Sequence, residues 1–180
     1  HIYGPKGIKE AITLLLKLGD SWTNYPLIFH ELESKESELL FEDDKVSIHT
    51  IPLDHRVYTN GFLFQEKPVP RTLDAEMAKK YRIDKSQFNK IKNGADGVSE
   101  NGEVVPNKQI TLPPPKPKSY AFCSDTVYKE SIVPIIKKVD ALYHESTFLE
   151  TEEHLCAKTK HSTAKQAAQI AQKAQVGTLI

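Results

Sequence analysis

Ile8, Ala11, Ile12 and Leu15 recur at the spacing of one helix face. Gly4-Pro5-Lys6 ahead of them suits a first helical turn, and Gly19 suits its end. The pattern then changes. The stretch 26–32 predicts a strand, and the alternation Val46-Ser47-Ile48-His49-Thr50-Ile51 predicts another. Asn60-Gly61 predicts a turn, with Phe62-Leu63-Phe64 resuming a strand. Further on, Tyr120-Ala121-Phe122-Cys123 and Ala141-Leu142-Tyr143 predict short apolar strands. Helices are predicted over 129–139, where Pro134 bends the helix or opens it, and over 151–158. The strongest helix is predicted over 163–175. Thr163 and Gln166 have capping-box spacing, Ala164, Ala167, Ala168, Ala171 and Ala174 form a small-residue face, and Gly177 can terminate it. Strand–loop–helix alternation of this kind predicts an α/β layered fold.

Residues 66–118 break the pattern. Prolines mark both margins, at Pro68 and Pro70 and again at Pro113, Pro114, Pro115 and Pro117. Polar turns with little sustained periodicity lie between them, as expected of a long insertion that is functional or mobile. This arm carries 11 Lys and Arg against 7 Asp and Glu, a net of +4 inside a chain whose formal net charge is zero. The expected division is a core of 1–65 and 119–180 with a basic arm of 66–118 inserted in it.

The 180 residues suffice for one core. No apolar run approaches the roughly 20 residues of a membrane span, so no membrane role is expected. Cys123 and Cys156 have neither metal-ligand spacing nor a disulfide framework, which predicts a reducing, cytoplasmic setting. The chain opens HIYGPKG and closes VGTLI, which reads as the first half of a buried strand. Both ends predict an internal piece of a longer protein.

In α/β sheets reactive groups gather past the carboxyl ends of strands. Four candidates lie at such places: Asp54-His55, Asp125, His144-Glu145, and His161 at the mouth of the last helix. Imidazoles and carboxylates together suit a hydrolytic zinc site, where the metal lowers the pKa of its bound water. Plainer readings stand beside this one. His55 can be a loop histidine, Asp125 the cap of a following helix, and His144-Glu145 a buried hydrogen-bonded pair. Ser162-Thr163 can be a helix N-cap, and the arm's lysines a solvated surface.

The order of the motifs adds a resemblance. IYGPKGIKE, PLDH followed by GFLF, an arm opening with LDAE, SDT after an apolar strand, HESTF and HSTAKQAAQIA follow one another along the whole chain. The series resembles the ribonuclease Z family of tRNA 3′-processing endoribonucleases in the metallo-β-lactamase superfamily. The resemblance implies a partial four-layer αβ/βα sandwich with a protruding exosite arm, a dinuclear Zn2+ centre, a homodimer and pre-tRNA as substrate. It implies His55 and Asp125 as metal ligands, the aspartate bridging both metals. It implies His161 beside the scissile phosphate, oriented by Glu145. Ser162 and Thr163, at a helix mouth with free N–H groups, are expected to meet phosphate, and Lys79, Lys80, Lys90 and Lys92 of the arm to grip RNA. The family's His-x-His-x-Asp-His motif is not in this sequence, nor is its last zinc histidine. The parent protein is therefore expected to be the enzyme and the chain by itself to be inactive. The alternatives are another phosphodiesterase or hydrolase of the same fold, and a non-catalytic RNA-binding piece.

Overall fold

The computed structural model describes residues 1–180. The first segment runs β1 (Ile2–Pro5), α1 (Ile8–Leu18), β2 (Phe29–Leu32), β3 (Leu39–Glu42), β4 (Val46–Pro52) and β5 (Asn60–Glu66). The chain then forms β6 (Thr72–Leu73), α2 (Ala75–Lys80), α3 (Phe88–Lys92), β7 (Gly97–Val98), β8 (Val104–Val105), α4 (Asn107–Ile110) and β9 (Thr111–Leu112). The last segment holds β10 (Ser119–Cys123), β11 (Ala141–His144), α5 (Cys156–Thr159), α6 (Ala164–Ala174) and β12 (Thr178–Leu179). Two compact units result, 1–65 with 118–180, and 66–117.

In the first unit six strands make one sheet in the order β12-β11-β10-β5-β4-β3. β10, β11 and β12 run parallel, while β5 is antiparallel to β10 and β3 to β4. β1 and β2 form a separate parallel pair. The core lies on one sheet face, where Ile51, Leu63, Ala121, Cys123 and Leu142 meet Ile132, Ile136 and Val139. α6 closes it with Ala167, Ile170, Ala171 and Ala174. The helix thus buries one isoleucine and three of the five expected alanines, and Ala164 and Ala168 face solvent. The other sheet face carries half-exposed aromatics. Phe122 stacks on Tyr143 with ring centres 4.8 Å apart, and Phe64 lies 6.1 Å from Tyr120.

Several elements differ from expectation, each for a local reason. Pro5 ends a strand; the helix begins after Gly7, whose φ of +89° makes the sharp entry. Asn60-Gly61 is strand, not turn. Gly61 is there because a Cβ would lie 2.3 Å from the carbonyl oxygen of Phe122 on the neighbouring β10. β3 is not signalled by the sequence. Residues 129–139 form a 3₁₀ turn at Glu130–Ile132 followed by further turns, because Pro134 has no N–H to extend a helix. Residues 150–155 are also 3₁₀, with α5 only four residues long. Gln175 in the left-handed region, at φ +55°, ends α6 in place of Gly177. Gly177 instead lets the chain pass Asp140, whose oxygen would lie 2.7 Å from a Cβ. β12 pairs in parallel with β11, Ala141 opposite Thr178 and Leu142 opposite Leu179.

The second unit is folded, not a run of turns. Ala78, Ile83, Ile91, Val105 and Ile110 make its own small core. Asp74 caps α2 by accepting from the Met77 amide at 3.0 Å. Buried Asn107 donates to the carbonyls of Ile91 and Ala95, both at 2.7 Å, and its Oδ1 accepts from the Thr111 hydroxyl at 2.9 Å. These bonds fasten α3 to α4 inside the unit. No helix of the chain is long and apolar enough to cross a membrane.

Candidate active site

Candidate residues of the first unit follow the ends of three strands of one sheet. His55 follows β4, Asp125 and Thr126 follow β10, and Glu145 follows β11. His161 sits in the three-residue passage between the end of α5 and the cap of α6. Nδ1 of His161 lies 2.8 Å from Oε1 of Glu145. The ring centres of His55 and His161 are 5.2 Å apart at 63°. These three, expected to act together, do come together.

Glu145 is the hub. Its side chain is 7% exposed and takes five hydrogen bonds. Oε1 accepts from the Thr126 amide at 2.9 Å and from His161; Oε2 accepts from the Thr147 hydroxyl at 2.7 Å and from the amides of Thr147 and Ser162, both at 3.3 Å. Burial pushes its carboxyl up, but Thr147, the Thr126 amide, His161 and the Ser162 amide together hold it below the usual range. Glu145 stays an anion and accepts from Nδ1 of His161, which leaves Nε2 outside that bond.

Other expected contacts are absent. Ser162 and Thr163 are buried, at 0% and 1% exposure, and already saturated. The Ser162 hydroxyl donates to the Thr126 carbonyl at 2.6 Å, and Thr163 forms a reciprocal capping box with Gln166. The Ala164 amide donates to the Phe148 carbonyl at 3.1 Å. The helix mouth therefore offers phosphate none of these groups, and the plainer reading of Ser162-Thr163 as a cap holds. Asp125 is exposed, at φ +58°, and no helix follows it directly to be capped. His144 does not pair with the Glu145 carboxylate; its Nδ1 donates to the Glu145 carbonyl at 2.8 Å. In the second unit Lys79 and Lys80 lie in the last turn of α2, and Lys90 and Lys92 in that of α3, all exposed. There they also offset the negative helix ends.

Metal ligation has one structural mark. Both ring nitrogens of His55 are buried without a hydrogen-bond partner, which suits an imidazole that gives a lone pair to a metal. The chain nevertheless brings together no group of three His, Cys, Asp or Glu able to hold an ion. His55 and Asp125 would be part of a ligand set, and catalytic zinc generally wants three protein ligands. The two cysteines are free and buried, and burial pushes the Cys123 thiol up to about 12, so it is inert.

His144 is a second buried imidazole, 3% exposed, and its Nε2 has no partner. Burial lowers its pKa from the ordinary 6.5, against the bond to the Glu145 carbonyl and the Glu145 charge. Above pH 6.5 the ring is neutral folded or unfolded. Below it the unfolded chain protonates first, so stability falls until the folded ring titrates. The urea midpoint of the chain is expected to drop as pH falls from about 7.5 to about 5.5. His144→Asn, which keeps a donor near Nδ1, should flatten that slope; an unchanged slope would show that His144 is not its source. Glu145, whose pKa is depressed, loses its contribution only as pH falls below 4.5.

Sequence reasoning did not single out Thr126, Thr147 or Lys160. Thr126 and Thr147 lie within the quoted SDT and HEST motifs, but nothing in those motifs says that their amides serve a carboxylate. Lys160 reaches Asp54, Nζ to Oδ2, at 3.2 Å.

No protein-family model matches the chain. Curated relatives do. "Ribonuclease Z" of Bacteroides thetaiotaomicron is 44% identical over all 180 residues, and that of Bacteroides fragilis strain YCH46 is 41% identical over the same length. "Ribonuclease Z" of Porphyromonas gingivalis strain W83 is 38% identical. The chain spans 57% to 59% of the length of these relatives. Among solved structures, human tRNase Z, short form, superimposes with a TM-score of 0.63 at 18% identity, over 99% of this chain and 58% of that one. The metallo-β-lactamase fold protein YhfI of Bacillus subtilis gives 0.54 at 13% identity, over 99% of this chain and 49% of that one. The chain therefore has the metallo-β-lactamase fold and is related in sequence, from end to end, to the ribonuclease Z proteins.

Proposed function

We propose that the protein is a zinc-dependent endoribonuclease that removes the 3′ trailer of pre-tRNA. The observation that carries the reading is the anionic Glu145 fixed on His161 beside the bare His55 ring, in a chain related throughout to ribonuclease Z. Water attacks the phosphorus, and the bond from phosphorus to the 3′ oxygen breaks. The attacking water gives up one proton to solvent and the departing oxygen takes one from Nε2 of His161, leaving a 3′-hydroxyl on the tRNA and a 5′-phosphate on the trailer. Glu145 keeps the ring oriented. The buried amides and hydroxyls of Thr126, Ser162 and Thr163 hold Glu145 and the helix mouth, so these residues position the site from beneath.

His55 and Asp125 belong to the metal set in this reading. Because they alone are too few, the 180-residue chain by itself is expected not to cleave. A homodimer and a cytoplasmic setting accompany the proposal, the latter supported by the two unpaired buried cysteines. Lys79, Lys80, Lys90 and Lys92 supply cations of the arm that grip RNA phosphates.

The test uses the protein extended to the length of its relatives. It should cut 3′-extended pre-tRNA just after the acceptor stem and stop when the metal is chelated. Residues 66–117 can be excised cleanly, because Gln65 and Ser119 are antiparallel partners and a two-residue turn can join them. The excision is expected to lower pre-tRNA processing by about 100-fold. Hydrolysis of bis(p-nitrophenyl) phosphate, which needs no arm, should stay within about threefold. Equal losses would favour another hydrolase on this fold.

A further inference from the structure

We propose that the Asp54–Lys160 ion pair is a positioning strap that sets the spacing between the loop bearing His55 and the loop bearing His161. The inference rests on the endoribonuclease reading for its catalytic consequence, but its geometry is independent of it. Asp54 directly precedes His55, and Lys160 directly precedes His161. Their 3.2 Å contact spans 106 residues of sequence and lies one residue from the 5.2 Å contact of the two imidazoles.

Both backbone ends of the strap are anchored. The Asp54 amide donates to the Thr126 hydroxyl at 3.2 Å, and its carbonyl accepts from the Val127 amide at 3.0 Å. The Lys160 amide donates to the Cys156 carbonyl at 2.8 Å and closes α5. Only the two side chains cross the gap.

Stability does not account for a lysine here. Its φ of +63° is left-handed, a conformation that strains a residue with a Cβ and that glycine adopts freely. The side chains of Lys160 and Asp54 are 36% and 44% exposed, and ion pairs so exposed stabilise little. Glycine would close α5 better. What lysine adds is the crossing itself.

The test compares Lys160→Gly, Lys160→Arg, Asp54→Asn and the double variant Asp54→Asn/Lys160→Gly in the full-length protein. Lys160→Gly is expected to melt at the same or a higher temperature, yet to lose about tenfold in kcat on pre-tRNA. KM should stay within about twofold, since no ground-state contact is removed. Lys160→Arg should recover most of the rate, and the double variant should be no worse than either single. A wild-type kcat in Lys160→Gly, or single losses that multiply in the double variant, would overturn the strap. A second readout needs no activity: the ring NMR signals of His55 and His161 in the 180-residue chain should move in Lys160→Gly. Unmoved signals overturn the strap as well. If the wild-type protein fails to cut pre-tRNA, the functional reading falls and the NMR result still decides the strap.

Discussion

Replacing Glu145 with alanine is expected to destabilise the chain by about 3–5 kcal/mol, because it strands donors that water cannot reach. The amides of Thr126 and Ser162 both donate to this carboxylate, and both residues are fully buried. Each orphaned amide costs about 1–3 kcal/mol. Thr147 and His161 lose partners too, but they are partly exposed and can turn to solvent. In urea at pH 7 the midpoint should fall by roughly 2 M with an unchanged slope. Glu145→Gln should cost less, since one oxygen still accepts, though its amide group faces donors on one side. A loss below about 1 kcal/mol for Glu145→Ala would mean the five bonds are not made in solution. The outcome also bears on function, because the same carboxylate that holds three chain segments together orients the site histidine.

How much of this was legible in the sequence depends on the length of each element. α6 is eleven residues with a capping box, and its pattern announces it. The helices of the second unit are four to six residues, too short to show a period, so a folded unit reads as turns. Its core rests on Asn107, whose three bonds to residues up to 16 positions away no local rule reveals. Gly61 and Gly177 show a different blindness. A glycine in sequence suggests a turn or a helix end, but at both places a neighbouring carbonyl leaves no room for a Cβ. That reason lies in the partner strand or loop. The Asn60-Gly61 pair therefore imitates a hairpin signal inside a strand.

At the site the same division holds. Positions past strand ends marked His55 and Glu145 as candidates, while the pairing of Glu145 with His161 came from the family resemblance. The partners were not predictable to the atom. His144 and Glu145 are adjacent in sequence, but adjacent residues at a strand end point to opposite sides. One ring thus turns into the interior and the carboxylate turns to His161. Ser162 and Thr163 look like ligand hydroxyls only until burial is known. Lys160 carried no signal, because its left-handed backbone is visible only in the fold.

His161→Ala in the full-length protein is expected to lower kcat on pre-tRNA by about 10²–10⁴-fold with little change in KM. The fold should survive, since the side chain is 25% exposed and gives up a single hydrogen bond to Glu145. The size of the loss depends on what leaves. A ribose 3′ oxygen is a poor leaving group, and in the proposed mechanism it takes a proton from Nε2. A p-nitrophenolate departs as a stable anion and does not. Against bis(p-nitrophenyl) phosphate the same variant should therefore lose less than about tenfold. Glu145→Gln should fall between wild type and His161→Ala on pre-tRNA, because the ring remains but loses the carboxylate that orients it. Equal losses on both substrates would assign His161 to stabilising charge on the phosphoryl oxygens, and would remove it as the acid that frees the tRNA end.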